Sequence, residues 1–171
     1  MKVLVIEDSL AMGKALSEIL IRQGHQVTWL TGVKTLEPLV GTVHGGNDLS
    51  LNFDDFDFLI EDGELKGSAY QGVEIVNHAS ALLHCIGFSS QPEFNQKMVN
   101  NGAVFGAKKP VLLVALEAGV LKLEEAVAQQ KEISLLLADY DQTMPKNPQF
   151  SQPWQRVEQR LRELMKEEFG I

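Results

Sequence analysis

A short apolar run that ends in acidic residues constrains the fold of this chain more than any other feature. The run from Phe58 to Ile60 is too short for a helix and too apolar for an exposed edge strand. It therefore predicts a central strand of a parallel sheet, covered on both faces. Glu61, Asp62 and Gly63 follow the run directly. Ligands of open α/β sheets bind at the carboxyl ends of the strands, so Asp62 is the first candidate functional residue.

Strand and helix patterns alternate along most of the chain. The predicted strands are Val3 to Ile6, Val27 to Leu30, Phe58 to Glu61, Leu83 to Phe88 and Val104 to Ala107. The first predicted helix follows Ser9 and carries Leu16, Ile19 and Leu20 on one face. The other predicted helices lie over 33–40, 72–79, 92–100 and 111–138, and Gly119 is a candidate break in the last. Such alternation is typical of parallel strands joined by right-handed crossovers. The predicted fold class is α/β, with a doubly wound, five-stranded parallel sheet.

Three segments lie outside this alternation. Residues 41–55 are rich in Gly, Asn and Asp and predict an exposed loop. Residues 139–153 contain three prolines and predict a linker. Residues 154–171 predict an additional C-terminal amphipathic helix. The chain is thus divided into a main domain over 1–138, a linker over 139–153 and a terminal helix over 154–171.

The terminal helix carries a narrow apolar seam. Its members recur at three- and four-residue spacing: Trp154, Val157, Leu161, Leu164 and Met165. A helix of this length is marginal in water by itself, so the seam must be buried. Two alternatives remain open: the helix folds back on its own domain, or it packs on a second copy or a partner.

Composition excludes several classes of protein. The 171 residues carry a net charge of −8, which repels nucleic acid and anionic membranes. No apolar run approaches the roughly 18 residues of a membrane span, and the N-terminal run is too short for a signal peptide. Cys85 is the single cysteine, which excludes an internal disulfide framework. We therefore expect a cytoplasmic protein that binds neither nucleic acid nor membrane.

Polar residues follow four of the five predicted strands. They are Glu7 and Asp8 after the first strand, Asp62 after the third, Ser89 after the fourth and Lys109 after the fifth. Because parallel strands end at one edge of a sheet, these side chains are expected to converge there. Each alone could be a cap or a solvated charge, but together they favour a functional site.

These motifs, taken in order, resemble a response-regulator receiver domain. The resemblance covers about residues 1 to 120 and implies a flavodoxin-like sheet with strand order 2-1-3-4-5. It implies that Asp62 is the phosphoacceptor, that Ser89 contacts the phosphoryl group and that Lys109 pairs with it. It also implies a divalent metal, Mg²⁺ or Mn²⁺, held by Glu7, Asp8, Asp62 and the backbone carbonyl of Glu64.

The chemistry of these residues agrees with the roles implied. Three neighbouring carboxylates raise one another's pKa, and a divalent cation relieves their repulsion. Mg²⁺ takes hard oxygen ligands and keeps waters that a phosphate can replace. A carboxylate can accept a phosphoryl group covalently, with a metal and a lysine neutralising the charge.

The resemblance implies a stand-alone two-component response regulator rather than an enzyme in the usual sense. Its partners would be a sensor histidine kinase or phosphotransfer protein, an unknown downstream protein and, through the terminal helix, a second copy. The alternative is a receiver-like interaction module that works without phosphorylation. A transcription factor is disfavoured, because the 61 residues after Pro110 are too few for a further winged helix and show no basic face.

Four positions depart from, or extend, the receiver pattern. Glu61 replaces a residue that is usually apolar or small, and strand alternation predicts that it points away from Asp62 toward surface or loop. Lys66 replaces a common proline. Gly106 stands where many receivers carry a switching aromatic, and Phe105 is predicted to face the other side of its strand. The resemblance also predicts a cis peptide between Lys109 and Pro110.

Overall fold

Two sheets organise residues 1–170, which are the residues that this computed structural model describes. The strands are β1 (Lys2–Ile6), β2 (Gln26–Leu30), β3 (Gly32–Thr35), β4 (Leu39–Thr42), β5 (Asp48–Leu51), β6 (Phe58–Glu61), β7 (His84–Phe88) and β8 (Phe105–Ala107). A five-stranded sheet has the order β2-β1-β6-β7-β8, with every neighbouring pair parallel. The predicted five-stranded parallel sheet and its strand order are confirmed.

Six helices surround the sheets in the described part of the chain. They are α1 (Leu10–Arg22), α2 (Gly72–Ala79), α3 (Pro92–Asn100), α4 (Lys109–Glu117), α5 (Gln130–Thr143) and α6 (Ser151–Phe169). Local signals fix several starts: Ser9 Oγ caps α1 by accepting from the Met12 N–H, and Gln71 and Glu74 form a capping box on α2. None of these helices is both long and apolar enough to cross a membrane.

The parallel sheet separates two hydrophobic cores. Val3, Val5 and Ile60 point into the main core, which the sheet shares with α1, α4 and α5. Leu4 and Leu59, their neighbours along the same strands, point into a core shared with α2 and the small sheet. Because side chains alternate along a strand, a strand that is buried on both faces reads as one apolar run. The sequence prediction of a covered central strand is correct.

A small antiparallel sheet lies between β2 and β6, where the sequence predicts a helix and then a loop. Its order is β3-β4-β5, so the helix predicted over 33–40 is wrong. The loop predicted over 41–55 is wrong at the end of β4, in β5 and in a 3₁₀ turn over Phe53–Asp55. Val33 and Leu39 are buried by this sheet rather than by a helix. Pro38 lies between them and would remove a hydrogen bond from a helix interior, which helical spacing alone does not register.

The segment after α4 is more folded than the sequence suggests. The predicted helix over 111–138 is interrupted, with α4 ending at Glu117 and Gly119 adopting φ +73°. The segment 139–153, predicted as a linker, is instead occupied by the end of α5, two 3₁₀ turns and the first residues of α6. Met144 and Phe150 are buried in the main core. Pro145 and Pro148 lie in the two 3₁₀ turns and Pro153 in the first turn of α6, where a missing N–H costs little.

The terminal helix α6 packs against α1. Val157 lies in the main core, and Leu164 packs on Ala11 and Ala15 of α1. Arg160 holds Glu18 of α1 through two bonds of 2.9 and 2.8 Å. Of the two alternatives for the apolar seam, the structure therefore shows the helix folded back on its own domain.

Candidate functional site

The polar residues that follow the parallel strands meet at one edge of the sheet. The site is a cleft of about 190 Å³, and the residues that line it are Asp8, Asp62, Glu64, Lys66, Ser89, Ser90, Gln91 and Lys109. Glu7 lies fully buried beneath it. The structure thus brings together every side chain that the sequence singles out, and it places Glu64, whose backbone carbonyl is the remaining candidate ligand, on the rim.

Lys109 connects two of the acids. Its Nζ lies 2.8 Å from Glu7 Oε2 and 3.3 Å from Asp62 Oδ2, with only 12% of the lysine side chain exposed. Burial alone would lower the pKa of Lys109, but the charges of Glu7 and Asp62 raise it overall. The lysine is therefore a fixed positive charge inside the cleft.

The predicted cis peptide before Pro110 is wrong. The cis peptide in the described residues is Glu37–Pro38, and Lys109–Pro110 is trans. The helix α4 begins at Lys109, directly after its N-cap Lys108. Pro110 therefore falls in the first helical turn. A trans proline has the φ that the helix requires there, and its missing N–H would have had no partner within the helix. Lys109 reaches the acids from the start of this helix.

The acidic residues carry more negative charge than one lysine balances. Glu7, Asp8 and Asp62 each offer a carboxylate oxygen, and these oxygens lie within 4.8 Å of one another. Burial, and then the charge of Asp62, raises the pKa of Glu7 to about 8. Burial likewise raises the pKa of Asp62, against the opposing effect of Lys109. A set of hard oxygen donors with excess negative charge fits a divalent cation of the Mg²⁺ type.

Backbone contacts hold two of the acids in place. Glu7 Oε1 accepts from the Ser9 N–H at 3.0 Å, and Asp8 Oδ2 accepts from the Lys66 N–H at 2.9 Å. The Trp29 indole N–H donates to the Glu7 carbonyl oxygen at 2.9 Å. The loop after Asp62 is therefore tied to the acids through Lys66, although this position lacks the common proline.

Glu61 is buried, contrary to the prediction of a surface or loop position. Its exposure is 0%, and neither carboxylate oxygen has a hydrogen-bond partner within residues 1–170. Strand alternation does turn Glu61 away from Asp62, but α2 and the small sheet cover that face. Burial, followed by the charges of Asp62 and Glu7, raises the pKa of Glu61 well above its usual value.

Replacing Glu61 by methionine is expected to stabilise the protein by about 1–3 kcal/mol, the usual cost of a buried polar group without a partner. For a chain of this size that corresponds to roughly 2–4 °C in Tm per kcal/mol. Because the pKa of folded Glu61 is raised, the wild type should lose stability as pH rises above about 4.5, and the Glu61→Met variant should lose less. Urea unfolding with EDTA at several pH values measures both effects.

The control for this substitution is Glu93→Met, on the exposed face of α3. It makes the same chemical change without removing a buried carboxyl, so its stability should stay close to that of the wild type. A Glu61→Met protein that is less stable than the wild type at every pH would show that the carboxyl has a stabilising partner.

The Ser89 loop contains contacts that the sequence did not reveal. Ser89 is buried, and its Oγ accepts from the Gln91 N–H at 3.1 Å. The side-chain amide of Asn95, one turn into α3, bonds both backbone groups of Ser89. A polar residue inside a helical pattern is usually exposed, so only the structure identifies Asn95 as part of this site.

Gly106 has no side chain to move, and the adjacent Phe105 does not replace it. Phe105 points into the core on the opposite face, as predicted. A Cβ at Gly106 would lie 2.7 Å from the Cβ of Asn95. The space beside Gly106 is therefore taken by Asn95.

Solved structures of receiver domains have the same fold. A CheY-like response regulator receiver domain protein from Methanospirillum hungatei JF-1 matches with a TM-score of 0.53 at 19% identity, over 77% of this chain and 97% of that chain. The signal receiver domain of a modulated diguanylate cyclase from Desulfovibrio desulfuricans G20 matches with a TM-score of 0.51 at 20% identity, over 77% and 97%. The non-phosphorylated receiver domain of HemR from Leptospira biflexa matches with a TM-score of 0.51 at 17% identity, over 78% and 93%.

These likenesses concern the fold. No family model and no curated protein matches the sequence. The resemblance to receiver domains is confirmed at the level of architecture, and the chain has the flavodoxin-like receiver fold with an additional C-terminal helix.

Proposed function

We propose that this chain is a two-component response regulator that accepts a phosphoryl group on Asp62 and signals through protein–protein contacts. One observation carries the proposal: Lys109 Nζ lies 2.8 Å from Glu7 Oε2 and 3.3 Å from Asp62 Oδ2. A buried lysine held beside an acidic cluster, at the carboxyl edge of a parallel sheet, is suited to bind a phosphoryl group next to a carboxylate nucleophile.

The residues of the cleft divide the reaction among them. A carboxylate oxygen of Asp62 forms the new bond to phosphorus. The bond from phosphorus to the leaving oxygen of the donor breaks, and the leaving group keeps that electron pair. Lys109 offsets the charge of the phosphoryl oxygens, and the Ser89 hydroxyl donates a hydrogen bond to one of them. The protein is thus its own catalyst for one transfer and not an enzyme that turns over a substrate.

A divalent cation belongs to the proposal because the donor set fits one. Glu7, Asp8, Asp62 and the backbone carbonyl of Glu64 would hold Mg²⁺ or Mn²⁺. When bound, the ion neutralises charge on the acids and on the transferred phosphoryl group. The surrounding contacts of Ser9 and Lys66 hold two of these acids in the orientation that binding needs.

The proposed partners follow from the chemistry. The phosphodonor would be a sensor histidine kinase or a phosphotransfer protein, and the output a downstream protein that distinguishes the phosphorylated form. Such partners imply a cytoplasmic protein. A homodimer through α6 is not part of the proposal, because Val157 and Leu164 of the seam are already buried against α1 and the core.

A second candidate is a receiver-like interaction module that works without phosphorylation. The observation that favours it is Gly106, which removes the aromatic that many receivers use to pass on the signal. The two candidates differ in one measurable respect: only the first requires covalent labelling of Asp62.

Incubation with acetyl phosphate and Mg²⁺, followed by mass spectrometry, tests the proposal. We expect one phosphoryl group per chain, on the peptide that contains Asp62, and no labelling with EDTA. Asp8→Asn should raise the Mg²⁺ concentration needed at least about tenfold, since even residues that only orient a metal ligand contribute about 10–100-fold. Asp54→Asn, an exposed aspartate in a 3₁₀ turn, is the matched control and should behave as the wild type. An unlabelled wild type would favour the interaction module.

A further inference from the structure

Asn95 links the first turns of α3 to the loop that carries Ser89. Its Oδ1 accepts from the Ser89 N–H at 3.0 Å, and its Nδ2 donates to the Ser89 carbonyl oxygen at 2.8 Å. Only 7% of Asn95 is exposed. Both polar atoms of one side chain therefore bond the backbone of one residue, which fixes the peptide planes on either side of the Ser89 Cα.

Two glycines in adjacent strands make room for this side chain. Gly87 of β7 and Gly106 of β8 are direct partners in the sheet register. A Cβ at Gly106 would lie 2.7 Å from Asn95 Cβ, and one at Gly87 would lie 3.1 Å from Asn95 Oδ1. Together they leave a strip of bare backbone on the sheet, and Asn95 enters it from α3. The absence of a side chain at Gly106 is therefore a requirement of the Asn95 contact.

We propose that Asn95 is a positioning residue for phosphoryl binding, which acts by holding the Ser89 hydroxyl at the cleft. This inference rests on the proposed function. Ser89 lines the cleft together with Asp62 and Lys109. Its Oγ lies 3.1 Å from the point where a Cβ on Gly63, the residue after Asp62, would stand. A hydroxyl fixed at this place can donate to a phosphoryl oxygen without first being ordered, which favours binding.

The competing explanation is purely structural. The Ser89 N–H and C=O are buried at a strand end, and buried backbone groups need partners whatever the function. In that case, loss of Asn95 would lower the stability of the protein. The molecules that remain folded would bind metal and phosphoryl group as tightly as before. A positioning role instead predicts a selective loss of phosphoryl affinity.

The test compares two ligands on one protein. Trp29, whose indole bonds the Glu7 carbonyl, is the fluorescent reporter, in a Trp154→Phe background that removes the other tryptophan. Mg²⁺ is titrated alone, and then beryllofluoride, a phosphoryl analogue, is titrated at saturating Mg²⁺. For Asn95→Ala we expect Mg²⁺ affinity within about twofold of the background and beryllofluoride affinity about tenfold weaker, the scale of one or two lost hydrogen bonds.

Two further variants provide a partial rescue and a control. Asn95→Asp retains the acceptor for the Ser89 N–H and should recover part of the affinity, and it serves if Asn95→Ala does not fold. Gln96→Ala is the matched control, because it removes an amide of the same helix that donates to Asn100 at the surface. Its beryllofluoride affinity should equal that of the background.

A double-mutant cycle with Ser89→Ala decides whether Asn95 acts through Ser89. If it does, Asn95→Ala should weaken beryllofluoride binding in the Ser89 protein but have little further effect in the Ser89→Ala protein. Additive losses would overturn the inference, as would unchanged affinity in the folded Asn95→Ala protein. Either result leaves the proposed function standing, provided that the background protein binds beryllofluoride. A background protein that binds Mg²⁺ but no beryllofluoride would overturn both.

Discussion

Replacing Asp62 by asparagine is expected to abolish labelling by acetyl phosphate. The asparagine amide keeps the shape of the carboxylate but is neither a nucleophile nor an anion, so no acyl phosphate can form. Lys109 would keep its contact with Glu7, and the fold should survive. Since burial raises the pKa of Asp62, the neutral variant should be at least as stable as the wild type without metal. Intact-protein mass spectrometry measures the labelling, and thermal unfolding measures the stability.

Asp57→Asn is the matched control for this experiment. Asp57 precedes β6, is exposed, and accepts a hydrogen bond from the Lys2 N–H at 2.8 Å. Its replacement leaves the cleft untouched, so labelling should match that of the wild type. Full labelling of a folded Asp62→Asn protein would place the phosphoacceptor on another residue and remove the basis for the roles of Ser89 and Lys109.

Deleting residues 151–171 is expected to lower the free energy of unfolding by about 3–6 kcal/mol. Burial of a single large aliphatic side chain contributes about 1.5–3 kcal/mol, and α6 buries both Val157 and Leu164. The loss is a large part of the 5–15 kcal/mol that stabilises a typical domain, and it should lower Tm by roughly 6–24 °C. The oligomeric state from light scattering should not change, because the helix covers its own domain.

Two point variants separate burial from mere removal of residues. Leu164→Ala, at a position 3% exposed, should cost about 2–5 kcal/mol, whereas Met165→Ala, at 46% exposed, should cost little. A truncated protein that keeps the Tm of the full chain but changes from dimer to monomer would contradict the fold-back arrangement and assign the seam to a second copy.

The parallel sheet could be predicted because two signals in the sequence mark its strands. Each strand is a short apolar run, and four of the five runs are followed by polar residues that suit a functional site at one edge of the sheet. The small antiparallel sheet could not be predicted in the same way. Val33, Leu36 and Leu39 are spaced as on a helix, and the one contrary signal is Pro38, which is unfavourable in a helix interior. Short strands buried on one side carry too few residues for their period to stand out.

The candidate site was predictable in its charged residues and not in the contacts behind them. Asp62 and Lys109 each follow a predicted strand, so a search for polar residues at strand ends finds both. Asn95 is found only when α3 is placed against the bare strip of Gly87 and Gly106. Glu61 was misjudged because alternation gives the side of the strand but does not say what covers that side.

The pairing of α6 with α1 bears on how the chain folds as it is made. Glu168 accepts a hydrogen bond from the N–H of Ala11, a partner 157 residues earlier in the chain. At a synthesis rate of about 5–20 residues per second, α1 is made about 8–30 s before the end of α6, the helix that covers its outer face. The last strand of the parallel sheet, β8, ends at Ala107, so all five strands are synthesised before that time. A nascent chain therefore passes through a stage in which the sheet is complete and the apolar surface around Ala15 is open to chaperones or to other chains.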